Sequence, residues 1–462
     1  MSQVFCERFC NMTTIREQAR DVPVVEETDL CVIGGSCTGV FAAVRAARLG
    51  ARVAVVEKNG FFGGVATAGL VNIWHSLHDV HGEVQIIGGL TREVIERLDR
   101  RDAVTRGEDP SAAYVLNTAE LKIELDSLVR EAGVRPFLHT RFVAPVMAED
   151  RLDAIVIEDK TGRRAIRARC FIDATGDGDL VERMGLPTRK LDDLQPPTTC
   201  AILEGLGRTG EANPEFDLGR EVFDPEYPEA LPPGFLWSSH VPGSEDLTMV
   251  AGTRVSGADC SDAGELTRAE MEGRGQVRRM LEVLRRHVEG GENVHLRALP
   301  AYIGIRETRH ATCRHALSER EVLEGKRFED AIANGTYRVD VHHSDKPGLT
   351  FRYLDGREVY VAPGEPPQSG RWREERESNP AFYQIPYGSL VPEGGRNVLV
   401  AGRLIDADRG AYGAIRVMVN CNQTGEAAGV AAALALETDA DVCEVPGDKL
   451  RDVMEAGGSI IL

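Results

Sequence analysis

The chain has no CxxC cysteine pair, no apolar run near the ~20 residues that a membrane helix needs, and too few basic residues to balance its acids. Each deficit closes a class of function. Without paired cysteines there is no dithiol for disulfide reduction, and ten scattered cysteines in 462 residues read as reduced thiols of a cytoplasmic protein. Cys6 and Cys10, the nearest pair, read as ordinary thiols, and no metal is expected. The 54 Lys and Arg against 73 Asp and Glu leave a net charge of −19, which argues against nucleic acid, because phosphate neutralisation needs basic patches. The first residues, MSQVFCERFCNMTTIREQARD, are polar and show no apolar signal core, so a cytoplasmic, membrane-free protein is expected.

What is present begins at TDLCVIGGSCTGVFAAVRAARLGARVAVVEKNG. Leu30 to Ile33 predict a buried parallel strand, Val40 to Leu49 a helix, and Ala51 to Val56 a second strand ending in Glu57. Gly34 and Gly35 provide the tight turn, and Gly39 lets the helix approach the strand. A helix N-terminus in that position offers N–H groups to a pyrophosphate. Glu57, followed by Lys58, stands where an acid accepts hydrogen bonds from a ribose. A carboxylate there repels a 2′-phosphate, so NAD or FAD is favoured over NADP. Ser36 replaces the usual middle glycine. Its Cβ limits backbone approach, and its hydroxyl is expected to meet a phosphate.

Three later stretches select FAD. GFFGGVATAGLVN places Gly63, Gly64, Ala66 and Thr67 where a backbone can lie against a flat ligand. A β-meander follows, with strands at Phe142–Met147 (including Val143) and Ala154–Glu158, and then a strand ending in Ala174-Thr175-Gly176. Near the C-terminus, Asn397 to Ala401 predict a buried strand leading to Gly402 and Arg403. GAIRVMVNCNQTGEAAGVAAALALE predicts one long helix whose N-terminus, Gly413 to Val417 with Ile415 and Arg416, points at the flavin.

On these segments, and on IGIRETRHATC and FYQIPYGSLVP, the chain resembles the FAD-dependent oxidoreductases of glutathione-reductase-like fold, with a fumarate-reductase-like overall plan. The resemblance implies an α/β protein. A Rossmann-like FAD-binding domain is expected at 22–185 and 385–440, and an inserted α+β substrate domain at 186–384. It implies FAD as cofactor, a small-molecule substrate and an electron acceptor such as oxygen. It leaves a homo-oligomer open.

The reaction is less legible. NIWHSLHDVHGE offers His75, His78, Asp79 and His81, of which His78 is the catalytic candidate, with a histidine here serving as a base or as a covalent flavin anchor. Arg306, after the apolar run Ile303-Gly304-Ile305, is read as the end of a strand, either paired with an acid such as Glu307 or holding an anion. Arg309 and His310 follow it. Tyr387 is a candidate proton donor, and Tyr383 is weaker. No second dinucleotide fingerprint follows, so a dedicated NAD(P)H domain is not expected. An FAD-dependent dehydrogenase or oxidase is the leading reading. A monooxygenase using external NAD(P)H and a non-catalytic flavin-binding protein are the alternatives.

Overall fold

A computed structural model describes residues 13–232, 234–343, 346–362 and 365–462. The Cys6 and Cys10 reading lies outside the described residues. No helix of the described residues is long and apolar enough to cross a membrane.

The main sheet is organised around the strand Val24–Ile33. One neighbour is Val53–Val56, itself flanked by Arg135–Phe137, and all three run parallel. The other neighbour is the long strand Gly162–Asp173, again parallel. That strand does two jobs. Its first half pairs antiparallel with Arg151–Asp159, which pairs in turn with Arg141–Ala148, making the meander. Its last residues, Phe171 to Asp173, pair parallel with Val398–Val400, so a strand from late in the chain completes the sheet. Strand centres such as Leu30, Val55 and Ile172 are fully buried, as expected of a parallel sheet covered on both faces.

Helices Cys37–Arg48 and Met418–Thr438 pack together across one side of this sheet. Small residues make that possible. A Cβ on Gly425 would overlap the carbonyl of Thr38, and one on Gly429 would overlap that of Ala42. Both pairs are spaced by four, so one face of each helix meets the other nearly backbone to backbone. The predicted single C-terminal helix is in fact two, Arg409–Ile415 and Met418–Thr438. Val417 has extended geometry between them. The break opens a fresh helix N-terminus at Met418, two residues beyond the arginine that the sequence places inside the helix.

The intervening chain forms smaller antiparallel sheets. One is built from Ala201–Glu204, Trp237–His240, Leu247–Ala251 and His295–Ala298. The helix Ala263–His287 covers it, burying Val277, Leu281 and Leu284 in a separate apolar cluster. Another runs through Val339–His342, Leu349–Arg352, Arg357–Val361 and Gln368–Arg371. Val339 and Leu354 join the main core. Ile303 to Ile305 make no strand. Gly304 only exchanges two backbone hydrogen bonds with Thr198, at 3.0 and 2.8 Å.

Candidate active site

At the C-terminal ends of the parallel strands the chain leaves a narrow cleft, with a cavity volume of about 60 Å³. Its walls come from Ser36 to Thr38, Gly63 to Val65, Ala174 to Gly176 and Ala401 to Arg403. Gly34 has φ +104° and sits so close to the next strand that a Cβ would overlap the Ala174 carbonyl. Only glycine meets both demands. The glycine loop is tied to this turn by the Gly63 N–H, which donates to the Gly35 carbonyl at 2.8 Å.

Glu57 is 5% exposed, and its carboxylate accepts from the N–H of Gly35 at 2.7 Å and from the N–H and amide of Asn59 at 2.8 and 2.7 Å. Burial raises its pKa, with the Asn59 and Gly35 N–H donors opposing that shift. It therefore braces the turn from the strand end. Lys58 extends over the ring of Tyr302, which lines the cleft, at 4.8 Å. The Ser36 hydroxyl caps the helix by accepting from the Gly39 N–H at 3.3 Å. It caps the helix and also lines the cleft, where the sequence reading expects a phosphate.

Asp173 organises the Ala174-Thr175-Gly176 wall. It is fully buried and accepts from the N–H and hydroxyl of Thr175 and from the N–H groups of Leu180 and Val181. Burial pushes its pKa up to about 6 against those donors.

The cleft suits a polar ligand by an observation independent of its glycines. Asn422 lines it, is fully buried, and neither its amide nitrogen nor its oxygen has a hydrogen-bond partner. An unpaired buried amide is costly, and a bound polar ligand removes the cost.

The cleft adjoins a larger chamber of about 360 Å³, the two sharing Val65, Ile305, Arg403, Arg416 and Met418 as walls. One side of the chamber is apolar, with Ile73, Phe235, Trp237 and Phe351. The other is charged. Arg403 ion-pairs with Asp177 at 3.2 Å and Arg416 with Asp340 at 3.1 Å. Asp340 also accepts from the Tyr337 hydroxyl at 2.9 Å. Burial opposes its ionisation, but His342 first, then Arg416 and Arg338, hold its carboxyl well below the usual carboxylate range. His342 Nε2 lies 3.2 Å from Asp340, while Nδ1 accepts from Arg254 at 3.0 Å. Both nitrogens are therefore occupied, and burial keeps the ring neutral, with a pKa lowered to about 3. His75 also lines the chamber, its ring tilted 34° against that of Tyr337 with centroids 4.1 Å apart. Burial, then Arg338, lowers its pKa to about 3. Neither of its ring nitrogens meets a hydrogen-bond partner among the described residues.

Several expected site residues stand elsewhere. His78 lines neither cavity, because its segment turns so that His75 faces the chamber. Tyr387 is buried behind the sheet and donates to the Val442 carbonyl at 2.6 Å. Tyr383 is likewise committed, donating to the Ala414 carbonyl at 3.1 Å. Val143 lies in the outer strand of the meander, its carbonyl accepting from Arg183 at 2.6 Å. Ala66 and Thr67 sit behind the glycine loop, with the Thr67 hydroxyl donating to Phe62. Gly413 packs on the backbone of Asp340, and Ile415 is core. Arg306 does line the chamber, without Glu307, whose carboxylate meets His310 at 3.1 Å and the Gln195 N–H at 2.9 Å. Arg309 turns away to Asp179. Sequence reasoning missed Arg338, Asp340 and His342. Their alternation along the strand Val339–His342 was the available signal, since period two places them on one face.

A family model described as FAD dependent oxidoreductase matches residues 29–454. The chain belongs to that family. It is an FAD-dependent oxidoreductase with a Rossmann-like FAD-binding fold, and FAD is its cofactor. Among curated proteins it is similar to dihydrolipoyl dehydrogenase of Trypanosoma brucei brucei, 29% identical over 186 residues, which cover 38% of this chain and 34% of the relative. The match thus spans about a third of that relative's length. Among solved structures it is similar to a geranylgeranyl bacteriochlorophyll reductase-like protein from Thermoplasma acidophilum, at 12% identity and TM-score 0.48, covering 93% of this chain and 84% of that one. It is also similar to p-nitrophenol 4-monooxygenase from Pseudomonas putida, at 12% identity and TM-score 0.45, covering 93% and 86%.

Proposed function

We propose that this enzyme is a dehydrogenase or oxidase that removes a hydride from a small organic molecule held in the chamber. The observation that carries the reading is the adjacency of cleft and chamber across Arg403, Arg416 and Met418. A substrate in the chamber adjoins the end of whatever fills the cleft.

The first turn of Cys37–Arg48, with the backbone at Gly63-Gly64 and Thr175-Gly176, would hold the cofactor's phosphates. Glu57 would accept from its ribose, and Asn422 and the Met418 helix N-terminus would meet its ring end. FAD supplies two-electron redox chemistry there, taking a hydride and passing the electrons to oxygen or another acceptor. The chain's own part is to bind, orient and deprotonate the substrate. His75 faces the chamber free of other partners, but the burial and the Arg338 charge that keep it neutral also weaken it as a base, so it would accept the proton only with a bound anion offsetting Arg338. Asp340 is unsuited, because its negative charge is already shared by Arg416 and Tyr337. The aromatic wall excludes water from the reacting atoms.

Anaerobic addition of a panel of small alcohols, amines and hydroxy acids to the holoenzyme tests this. Bleaching of the flavin absorbance by one class, without NAD(P)H, is the expected result. Substrate-stimulated consumption of NAD(P)H would overturn it in favour of a monooxygenase. Inertness to both would leave a flavin-binding protein without turnover.

A further inference from the structure

The charges of the chamber do not cancel. Arg403 and Arg416 each have a carboxylate partner, Asp177 and Asp340. Arg306 has none among the described residues. Its Nη1 donates to the Pro196 carbonyl at 2.5 Å and to the Thr198 hydroxyl, which anchors one edge of the guanidinium to the loop wall. Its Nε and Nη2 have no acceptor among the described residues. Arg338 likewise lacks a carboxylate, and its guanidinium lies 3.9 Å over the Phe351 ring. Arg254 stands behind His342 and adds a third cation. The two lining histidines are neutral and offset nothing.

Leaving so much positive charge in a partly buried, aromatic-walled space is costly unless something else supplies the counter-charge. The strain shows on Arg306 itself. Burial, then the neighbouring Arg254 and Arg416, draws its pKa down to about 9.

We propose that the chamber takes an organic carboxylate, its anionic group seated on the free Nε–Nη2 edge of Arg306 and its apolar body against Trp237 and Phe351. A guanidinium with one edge anchored and the other open presents two parallel N–H donors, the arrangement that a carboxylate accepts in bidentate fashion. The assignment rests on the chamber being the substrate site, and it names the class of substrate.

Equilibrium binding to the FAD-loaded protein tests this without turnover. Benzoate and benzamide share shape and ring and differ in charge. Benzoate should bind, read as a perturbed flavin spectrum or by calorimetry, at least about 10-fold more tightly than benzamide. Arg306→Gln should weaken benzoate by roughly 30-fold or more, the scale of one charge-assisted bidentate contact, and leave benzamide and FAD content unchanged. Arg306→Lys, which keeps the charge and loses the fork, should fall between the two and serves if the glutamine variant does not fold. Equal affinity for the two probes, no benzoate binding by the loaded protein, or unchanged benzoate binding by either variant would overturn the assignment. Flavin bleaching by a neutral substrate with no carboxylate binding would sink this inference and leave the proposed reaction standing. Tight carboxylate binding with no bleaching by any compound would do the reverse.

Discussion

The cleft and the chamber touch, yet they are made of different material. The cleft is walled mostly by backbone and small side chains, from Ser36, Gly64, Thr175 and Gly402. The chamber is walled by long side chains, four arginines and four aromatics (Phe235, Trp237, Tyr337 and Phe351) among them. Backbone recognition suits a ligand that never varies, because N–H groups and glycines hold their positions by the fold itself. Side-chain recognition suits a ligand that differs between relatives, because a side chain can be exchanged without rebuilding a strand. Under the proposed function the constant chemistry belongs to the cleft and the selective chemistry to the chamber, and the contrast can be broken at either end.

The largest effect is expected in the cleft scaffold. Gly34→Val should lose essentially all FAD and destabilise the protein by at least ~3 kcal/mol, since it combines positive-φ strain with overlap of the Ala174 carbonyl. Flavin-to-protein ratio and thermal melting measure both. A soluble, yellow Gly34→Val protein would mean that the turn is not the rigid element described above.

In the chamber, His75→Gln should lower kcat by roughly 100-fold with FAD content and melting temperature near normal, the usual scale for loss of a general base. The same substitution at His78, which lines neither cavity, should leave turnover close to wild type. Equal losses at both positions would erase the distinction between them.

Returning to the cleft, Glu57→Gln keeps the shape and removes the charge. It should weaken FAD by roughly 5- to 30-fold, on the order of 1–2 kcal/mol, as expected for hydrogen bonds to a charged group. Apo-protein titrated with FAD gives the number, and an unchanged affinity would remove Glu57 from the ribose site.

The scaffold behind the cleft makes a pH prediction. Glu426, 1% exposed, pairs with Arg45 of the dinucleotide helix at 3.3 Å and accepts from the Leu90 N–H at 3.0 Å. Burial raises its pKa to about 7, with Arg45 opposing. The folded state therefore binds a proton that the unfolded chain, with an ordinary carboxyl, has released. That contribution to stability is complete below the unfolded pKa and is lost as pH rises through about 7. Melting temperature should fall by roughly 2–4 °C between pH 5 and pH 8, and Glu426→Gln should flatten the slope. A wild-type profile that rises over this range would contradict it.

The smallest effect is expected at Tyr387. Tyr387→Phe removes one hydrogen bond to the Val442 carbonyl and should cost ~1 kcal/mol of stability with unchanged kinetics. A large loss of turnover would restore the proton-donor role that its position denies.

By itself the sequence determined the dinucleotide half and the cofactor class. Strand, glycine turn, helix and terminal acid lie within Leu30 to Glu57, and the strand ends at Ala174 and Ala401 are equally compact signals. Local backbone demands, such as the positive φ at Gly34, select a residue type directly, so spacing alone reveals them. Only the tertiary structure decided the chamber. Its residues come from segments as far apart as Ile73, Thr198, Trp237, Arg306, Asp340 and Arg416, and no local rule links them. His75 and His78 illustrate the limit, since three residues in an irregular segment turn one toward the chamber and the other away. The break at Arg416 and Val417 is a second case. The small, helix-compatible residues around it favour an uninterrupted helix, and what the broken backbone gains is packing of Arg409–Ile415 on the strand of Asp340 together with the Arg416–Asp340 ion pair. Those partners are distant in sequence, and their interaction energy exists only once the fold has brought them together.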